Sequence, residues 1–407
     1  MTNIAGYKKI VGEDRIEQLQ RLAALSSGKK VVMVNSTKDG GGVAEILTRL
    51  VPLLTELGID CRWETIEGDD AFFNITKSMH NAMQGKKINF SPQMLDHYQQ
   101  IARENAARLN LDADIVIIHD PQPLALIEHC KKRGAKWVWR CHIDTSKPEL
   151  SLWKYLKRYL LDYDASIYSI AKFSRVLAHP QYLIAPSVDP LADKNRYLSK
   201  EKVASVLSSF GIKKEKPFIT QVSRFDKFKD PLGAIDAYRM VKREIDVGLI
   251  LAGGTASDDP EGQAVLSRVK EKAGDDPDIH ILLLSPKSDI EINAIQRASD
   301  VVLQKSVKEG FGLVVTEAMW KKKPVVAGAA GGITIQLQNH QTGFLVHSAE
   351  GAAYRIRYLL NRGKIREKMG KDAREHVRNN FLITRHLRDY LSLFRILENA
   401  KKSLIYV

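Results

Sequence analysis

The sequence predicts an α/β protein with two Rossmann-like domains that face each other across a cleft. Short apolar strand patterns alternate with amphipathic helix patterns along most of the 407 residues, which is typical of parallel sheets covered by helices on both faces. The alternation restarts near 190–215, so the units form two sets. A chain of this length has room for two cores.

The first set begins with an apolar strand over 30–36, a glycine run, and a helix over 43–58 whose apolar residues recur every three or four positions. Gly58 marks the end of that helix. Further strands are predicted over 59–66, 113–120, 136–144 and 165–170, with helices between them, and a short strand that runs into a proline-bracketed turn is predicted within 182–191.

The second set repeats the pattern up to a helical tail over about 350–400. It begins with a strand and loop over 216–226. Further strands are predicted over 247–254, 279–284, 300–306 and 324–329, and helices over 231–245, 289–299 and 313–323. We therefore expect an N-terminal domain of residues 1–190 and a C-terminal domain of residues 191–379. We also expect a last helix at about 380–407 to pack back on the first domain.

The composition indicates a soluble globular protein and argues against a transmembrane protein. It is 44% hydrophobic and 27% charged, as in soluble globular proteins, and no apolar run reaches the roughly 18–20 residues that cross a bilayer. We expect no export signal, because the first residues show neither an apolar h-region nor a cleavage site. The three cysteines, Cys61, Cys130 and Cys141, lack metal-site spacing. We expect a reduced, cytoplasmic protein that does not bind membranes.

The net charge of +14 is compatible with anionic partners. The basic clusters at 131–133 and 321–323 are short, and no nucleic-acid-binding motif accompanies them. We therefore expect a local site for a small anion and no nucleic-acid partner. The sequence leaves the oligomeric state open, a homodimer included.

Ligands of parallel α/β sheets bind beyond the carboxyl ends of the strands. One such loop contains Gly40, Gly41 and Gly42 at the start of a helix, where free N–H groups can meet an anion; a tight turn is the alternative interpretation. A second loop contains Arg224 and Lys229, two cations that can neutralise a diphosphate, unless they are only an exposed basic loop.

A third loop, "EGFGLVVTEAMW" over 309–320, places Gly310 and Gly312 between Glu309 and Glu317, directly before a helix. The glycines and the first-turn N–H groups suit a ligand that approaches the main chain. The two carboxylates can accept hydrogen bonds from hydroxyl groups. The residues alone also allow Glu309 to be a helix-start acid and Glu317 a surface acid.

Together these motifs resemble the retaining glycosyltransferases of the GT-B fold, family four, whose E-x7-E motif matches Glu309 and Glu317. "SRFDKFKDP" (223–231), "LAGG" (251–254) and "AGAAGGI" with "TGFLV" (327–346) fit the same family. "HDPQPLAL" (119–126), "WRCHIDTSKP" (139–148), "SDDPEG" (257–262) and "KEGFGL" (308–313) are similar to the branch of trehalose glycosyl-transferring synthases and trehalose phosphorylases. The resemblance departs at Asp230, where glycine commonly follows the lysine.

The resemblance implies donor-site roles in the second domain. Arg224 and Lys229 are expected to bind the diphosphate, Glu317 the ribose hydroxyls, and Glu309 the 3- and 4-hydroxyls of the donor sugar. Backbone N–H groups are expected to support sugar and phosphate at Gly310, Phe311, Gly312 and Leu313.

In the first domain, the resemblance implies that His142 reaches the donor sugar's 6-hydroxyl and that the Gly40–Gly42 loop closes over phosphate. A structural core histidine is the alternative for His142. Asp120, Gln122 and Asp144 are acceptor-side candidates. The residues with expected catalytic roles are thus His142, Arg224, Lys229 and Glu309.

The implied activity is transfer of glucose from UDP-, ADP- or GDP-glucose to glucose, with the α configuration retained and trehalose formed. A trehalose phosphorylase, a nucleotide-sugar hydrolase and a non-catalytic nucleotide-sugar sensor are the alternatives. We expect no cofactor and no metal, because the cations replace Mg²⁺. The two Asp-x-Asp sequences, Asp112–Asp114 and Asp162–Asp164, precede their strands and are interpreted as loop or capping acids.

Overall fold

The computed structural model describes residues 3–130, 134–254 and 260–399. The basic cluster at 131–133, the start of the motif at 257–262 and the end of the predicted tail helix lie outside the described residues. The chain divides into two compact units. One comprises the residues up to Ser187 and from Ile383 onward, and the other comprises Val188–Leu382.

Each unit contains one six-stranded sheet whose strand pairs are all parallel. The strands of the first unit are β1 (Lys30–Asn35), β2 (Asp60–Thr65), β3 (Ile115–His119), β4 (Lys136–Cys141), β5 (Ala165–Tyr168) and β6 (Gln181–Leu183). Those of the second are β7 (Phe218–Val222), β8 (Gly248–Gly253), β9 (Ile279–Leu283), β10 (Val301–Gln304), β11 (Val325–Gly328) and β12 (Gly343–Val346).

Helices connect the strands. Within the described residues they are α1 (Lys8–Val11), α2 (Glu13–Ala24), α3 (Gly41–Glu56), α4 (Asp70–Met83), α5 (Pro92–Arg108), α6 (Ile127–Cys130), α7 (Leu150–Leu160), α8 (Lys200–Ser209), α9 (Pro231–Lys242), α10 (Pro260–Ala273), α11 (Asp289–Ala298), α12 (Leu313–Trp320), α13 (Ile333–Gln336), α14 (Ala349–Leu360), α15 (Gly363–Asn380) and α16 (Ile383–Glu398). In the described part of the chain, no helix is long and apolar enough to cross a bilayer.

The strand order of each sheet contains one point where the order reverses. The first sheet runs β2-β1-β3-β4-β5-β6, and its reversal lies between β1 and β3. The second runs β12-β11-β10-β7-β8-β9, and its reversal lies between β7 and β10. Ligands of such sheets bind at the carboxyl edge, beside the point where the strand order reverses.

Both sheets are buried on their two faces. In β4, Trp137, Trp139 and Cys141 belong to the core beneath α4, α5 and α7, while Arg140 between them is fully buried as well. The closing helix α16 packs on α2 and α3 within the first unit. It buries an apolar stripe that includes Leu387, Leu391 and Phe394, as expected for an amphipathic helix.

The elements that were predicted agree with the structure apart from their ends, whereas α8, α10 and β12 were not predicted. Helix α3, which follows the glycine run, begins at Gly41 instead of residue 43. Gly40, with φ of 74°, is its N-cap. Strand β12 lies in the family motif "TGFLV" but was not predicted as a strand. Its four residues are too short to show alternation.

Candidate active site

The loops after β7 and β10 are bonded to each other at the reversal point of the second sheet. Val307 N–H donates to the Phe228 carbonyl at 2.8 Å. The Gln221 side chain, at the end of β7, accepts from Lys305 N–H at 2.9 Å and donates through Nε2 to the Lys229 carbonyl at 3.0 Å. The loop that contains Lys229 is therefore held by hydrogen bonds to the ends of both β7 and β10.

This arrangement places Lys229 against Glu309. Lys229 Nζ lies 2.6 Å from Glu309 Oε2, and the two side chains are 19% and 9% exposed. Ser306 Oγ donates to the same carboxylate oxygen at 3.2 Å. Lys229, the cation predicted to bind the diphosphate, and Glu309, the carboxylate predicted to bind the sugar, are thus in direct contact.

Arg224 is held more loosely at the mouth of the same loop. Its side chain is 66% exposed, and Nη2 lies 3.4 Å from Asp226 Oδ2. Asp226 also accepts from Phe228 N–H at 2.7 Å. The loop lies close to the end of β8, since a Cβ on Gly253 would lie 1.8 Å from the Ser223 carbonyl oxygen.

The start of α12 requires glycine at position 312. Gly312 is the N-cap with φ of 84°, in the left-handed region, and no side chain caps the helix there. A Cβ on Gly312 would lie 3.0 Å from Cγ of Glu309. Leu313 begins the helix as predicted, and Phe311 beside Gly312 is buried. Val315 N–H donates to the Gly312 carbonyl at 3.0 Å, which leaves the N–H groups of Leu313 and Val314 at the start of α12 for a ligand.

Glu317 lies inside α12 and is 2% exposed, so it is not the surface acid that the residues alone allowed. Lys194 Nζ lies 4.0 Å from its Oε1 and 3.5 Å from Asp289 Oδ1. Its predicted contact with ribose stays a prediction.

Asp230, where the resembling family has glycine, has φ of 47° and ψ of 55°. That left-handed conformation favours glycine and tolerates Asp and Asn. The Asp230 side chain also caps α9 by accepting from Gly233 N–H at 3.0 Å, and Lys305 Nζ donates to it at 3.1 Å. The turn therefore keeps its geometry without glycine.

In the first unit, Asp120 and His142 follow β3 and β4, which are adjacent strands. His142 N–H donates to Asp120 Oδ1 at 2.7 Å. Asp120 has φ of 64°, and its own N–H donates to the Arg140 carbonyl at 2.9 Å. His119 Nδ1 lies 3.0 Å from His142 Nε2. These groups form a connected cluster.

Burial dominates the electrostatics of this cluster. It raises the pKa of Asp120 to about 7, a rise that the His142 N–H and the Arg140 charge oppose. Burial and then the Arg140 charge lower the pKa of His119 to about 3 and that of His142 well below its usual range. Both imidazoles are therefore neutral near pH 7.

The other predicted first-domain residues lie in the same unit. Gly41 and Gly42 form the first turn of α3, and the others lie in loops. Gly40 and Gly41 have positive φ and open α3 after β1. Gln122 is half-buried in the loop after β3. Asp144 accepts from Ser146 N–H at 3.0 Å, which makes a local turn.

Two family models match this chain. Residues 33–175 match "Trehalose synthase, N-terminal domain", and residues 206–376 match "Glycosyl transferases group 1". The trehalose synthase of Thermococcus litoralis is 46% identical over 393 residues, which cover 95% of each chain. The chain belongs to the trehalose synthase family.

More distant comparisons agree with that membership. A trehalose phosphorylase of Pleurotus pulmonarius is 28% identical, over 91% of this chain and 58% of that protein. A solved structure described as "Trehalose-6-phosphate from E. coli bound with UDP-2-fluoro glucose" has a TM-score of 0.72 at 16% identity, and the match covers 89% of this chain and 98% of that one. This trehalose synthase family member is a glycosyltransferase with the GT-B fold, as predicted.

Sequence reasoning missed several residues of the two clusters. Gln221 and Lys305 are polar residues at the ends of apolar strands, and Arg140 is a charged residue inside one. A polar side chain in a doubly buried strand is itself a signal, because burial without a partner is costly. His119 stands directly before Asp120 in the quoted "HDPQPLAL" motif.

Proposed function

We propose that this trehalose synthase family member moves glucose from a nucleoside diphosphate glucose to glucose and forms trehalose. The observation that carries the proposal is the 2.6 Å contact between Lys229 Nζ and Glu309 Oε2 at the reversal point of the second sheet. It joins a cation suited to phosphate with a carboxylate suited to sugar hydroxyls. The name of the 46% identical relative supports the product.

The donor diphosphate is held by Arg224 and Lys229. An ammonium has three N–H donors, and Glu309 takes one of those of Lys229, which leaves two for phosphate oxygens. The exposed Arg224 guanidinium adds a planar fork of donors. Main-chain N–H groups from Gly310 to Leu313 add the positive end of α12.

The donor sugar is held by Glu309. Its Oε2 accepts from Lys229 and Ser306, whereas no side chain or main-chain group of the described chain donates to Oε1. That oxygen is the acceptor for the sugar's 3- and 4-hydroxyls. Glu317 binds the ribose hydroxyls. We assign this donor site to residues 191–379.

The acceptor and the sugar's 6-hydroxyl belong to residues 1–190 in this proposal. His142 binds the 6-hydroxyl, and Asp120, Gln122 and Asp144 bind the acceptor glucose. The Gly40–Gly42 loop closes over phosphate and helps to exclude water, which competes as an acceptor.

The transfer is a same-face substitution. The bond between the anomeric carbon and the phosphate oxygen breaks, a bond to the acceptor hydroxyl oxygen forms, and the leaving phosphate oxygen takes the acceptor's proton. Glu309 and Glu317 hold hydroxyls instead of attacking carbon, unlike the nucleophile of retaining glycosidases. Arg224, Lys229 and the α12 start stabilise the charge on the departing diphosphate. No metal or cofactor takes part.

One panel tests the proposal and its alternatives. Purified protein is incubated with UDP-, ADP- or GDP-glucose together with glucose, with phosphate, or with water alone, and the products are identified. Trehalose and a nucleoside diphosphate, formed only with glucose, are expected. In a matched arm, glucose 1-phosphate formed from trehalose and phosphate indicates a phosphorylase. Free glucose from donor alone indicates a hydrolase, and donor binding without turnover indicates a sensor; any of these three outcomes overturns the proposal.

A further inference from the structure

The imidazole rings of His119 and His142 share a hydrogen bond. His119 Nδ1 and His142 Nε2 are 3.0 Å apart, and the ring planes are inclined by only 13°. Both rings are neutral, because burial and the neighbouring Arg140 charge lower the pKa of each. One proton therefore lies between the two nitrogens, and one ring donates while the other accepts.

The surroundings of His119 decide which ring donates. His119 is 2% exposed, and its other nitrogen, Nε2, has no hydrogen-bond partner among the described residues. A buried N–H without an acceptor costs more than a bare lone pair beside a positive charge. Arg140 is the register partner of His119 on the adjacent strand β4 and is fully buried, and its charge contributes to the lowered pKa of His119. The single proton of His119 therefore lies on Nδ1, directed at His142 Nε2.

His142 must then carry its own proton on Nδ1. Its ring is half-buried, and no group in the described part of the chain accepts a hydrogen bond from that nitrogen. The backbone of His142 is fixed as well, because its N–H donates to Asp120 Oδ1 at 2.7 Å. Consecutive residues, His119 and Asp120, thus fix the ring and the main chain of one histidine.

We propose that His119 is a positioning residue that holds His142 as the Nδ1–H tautomer, so that His142 offers a hydrogen-bond donor to an oxygen of its ligand. The hydrogen bond that one ring nitrogen makes commonly sets which nitrogen of a histidine is protonated. The tautomer follows from the first unit alone. The identity of the ligand oxygen, the 6-hydroxyl oxygen of the donor sugar, rests on the proposed function.

Nitrogen NMR of protein labelled with ¹⁵N-histidine tests the tautomer directly. The His142 ring signals are assigned by their loss in His142→Gln. We expect the Nδ1–H pattern in the wild type and in His119→Asn, whose amide N–H replaces the lost Nδ1–H. His119→Phe, which has no donor, is expected to lose this single tautomer. An Nε2–H pattern in the wild type overturns the proposal, as does an unchanged His142 spectrum in His119→Phe.

Kinetics supply the second readout. We expect kcat/KM for the donor to fall about tenfold in His119→Phe, the scale of one hydrogen bond, and to be largely restored in His119→Asn. With a 6-deoxyglucose donor, the difference between wild type and His119→Phe is expected to disappear. An equal difference with both donors overturns the assignment of the 6-hydroxyl. A protein that turns over no donor contradicts the proposed function, and the NMR result still decides the tautomer.

Discussion

Lys229 and Glu309 are in contact at 2.6 Å between Nζ and Oε2 although 80 residues separate them in the chain. They meet because β7 and β10 are neighbours in the sheet while their loops leave it at the reversal point. The contact joins the cation proposed to bind phosphate and the carboxylate proposed to bind sugar, so that each group orients the other before any ligand arrives.

Lys229→Ala is expected to lower kcat about 10²–10³-fold, by analogy with the loss of one donor to a developing oxyanion. Steady-state kinetics measures the effect, and the thermal midpoint shows that the fold survives. Lys227→Ala is the matched control, since Lys227 is exposed on the same turn. Near-normal turnover by Lys229→Ala contradicts the diphosphate role.

Glu309→Gln keeps the size of the side chain and removes its charge. We expect kcat/KM to fall about 10–100-fold, the range for a hydrogen bond to a charged group. Glu215→Gln, a change at an exposed acid, provides the control. A loss no larger than in that control would show that the carboxylate does not hold the sugar.

Asp230 tests how a left-handed residue replaces glycine. Asp230→Ala loses the cap, at about 1 kcal/mol, and strains the left-handed backbone by about 1 kcal/mol. Asp230→Gly loses the cap and relieves the strain. Asp230→Asn keeps the cap and tolerates the left-handed backbone. Differential scanning calorimetry is expected to rank the midpoints Asn above Gly above Ala, with about 2–4 °C for each kcal/mol. Equal midpoints for Gly and Ala contradict the conformational argument.

The sequence predicts which loops carry the candidate site better than it predicts which residues contact each other. The rule that ligands lie beyond strand ends selected the loops of Arg224, Asp120 and Glu309 before any strand order was known. The strand order itself cannot be read from apolar periodicity, so the direct contact of Lys229 with Glu309 was not predicted. Periodicity also left the burial of Glu317 open, because α12 is apolar on nearly all sides and has no distinct polar face.

The first unit shows a second reason for missed residues. His142 and Asp120 were selected from family motifs. His119, which contacts His142, and Arg140, whose carbonyl accepts from Asp120 N–H, lie inside the sheet and were not selected. A buried charge in an apolar strand identifies an unusual site, but its partners depend on packing across β3, β4 and α16. That packing is a tertiary property that local patterns do not specify.

Activity is expected to survive EDTA. Asp114 Oδ2 accepts from Lys30 N–H and Asp164 Oδ2 accepts from Trp137 N–H, each at 2.9 Å. These carboxylates thus cap the amino ends of β1 and β4, at the edge of the first sheet opposite to the carboxyl edge where ligands of parallel sheets bind. Initial rates before and after chelation measure the effect. Loss of activity in EDTA with recovery in Mg²⁺ contradicts a metal-independent transfer.

Acid is expected to destabilise the first unit through its buried histidines. Burial, with the Arg385 and Arg140 charges, lowers the pKa of His386 well below its usual 6.5, and the pKa values of His119 and His142 are lowered too. Below pH 6.5 the histidines of the unfolded chain bind protons, whereas the buried histidines of the folded chain stay neutral. The stability is therefore present above that pH and is lost as the pH falls. Asp120, with its raised pKa, offsets part of this loss.

His386→Asn isolates one of these histidines. His386 Nδ1 lies 2.8 Å from Ser187 Oγ, a contact that the Asn amide can replace, while Asn takes up no proton. Urea titrations from about pH 7.5 to about pH 5 are expected to show a free energy of unfolding that falls less steeply in the variant, by up to about 1.4 kcal/mol per pH unit. Parallel curves would mean that His386 titrates alike in both states, which contradicts the lowered pKa that its burial implies.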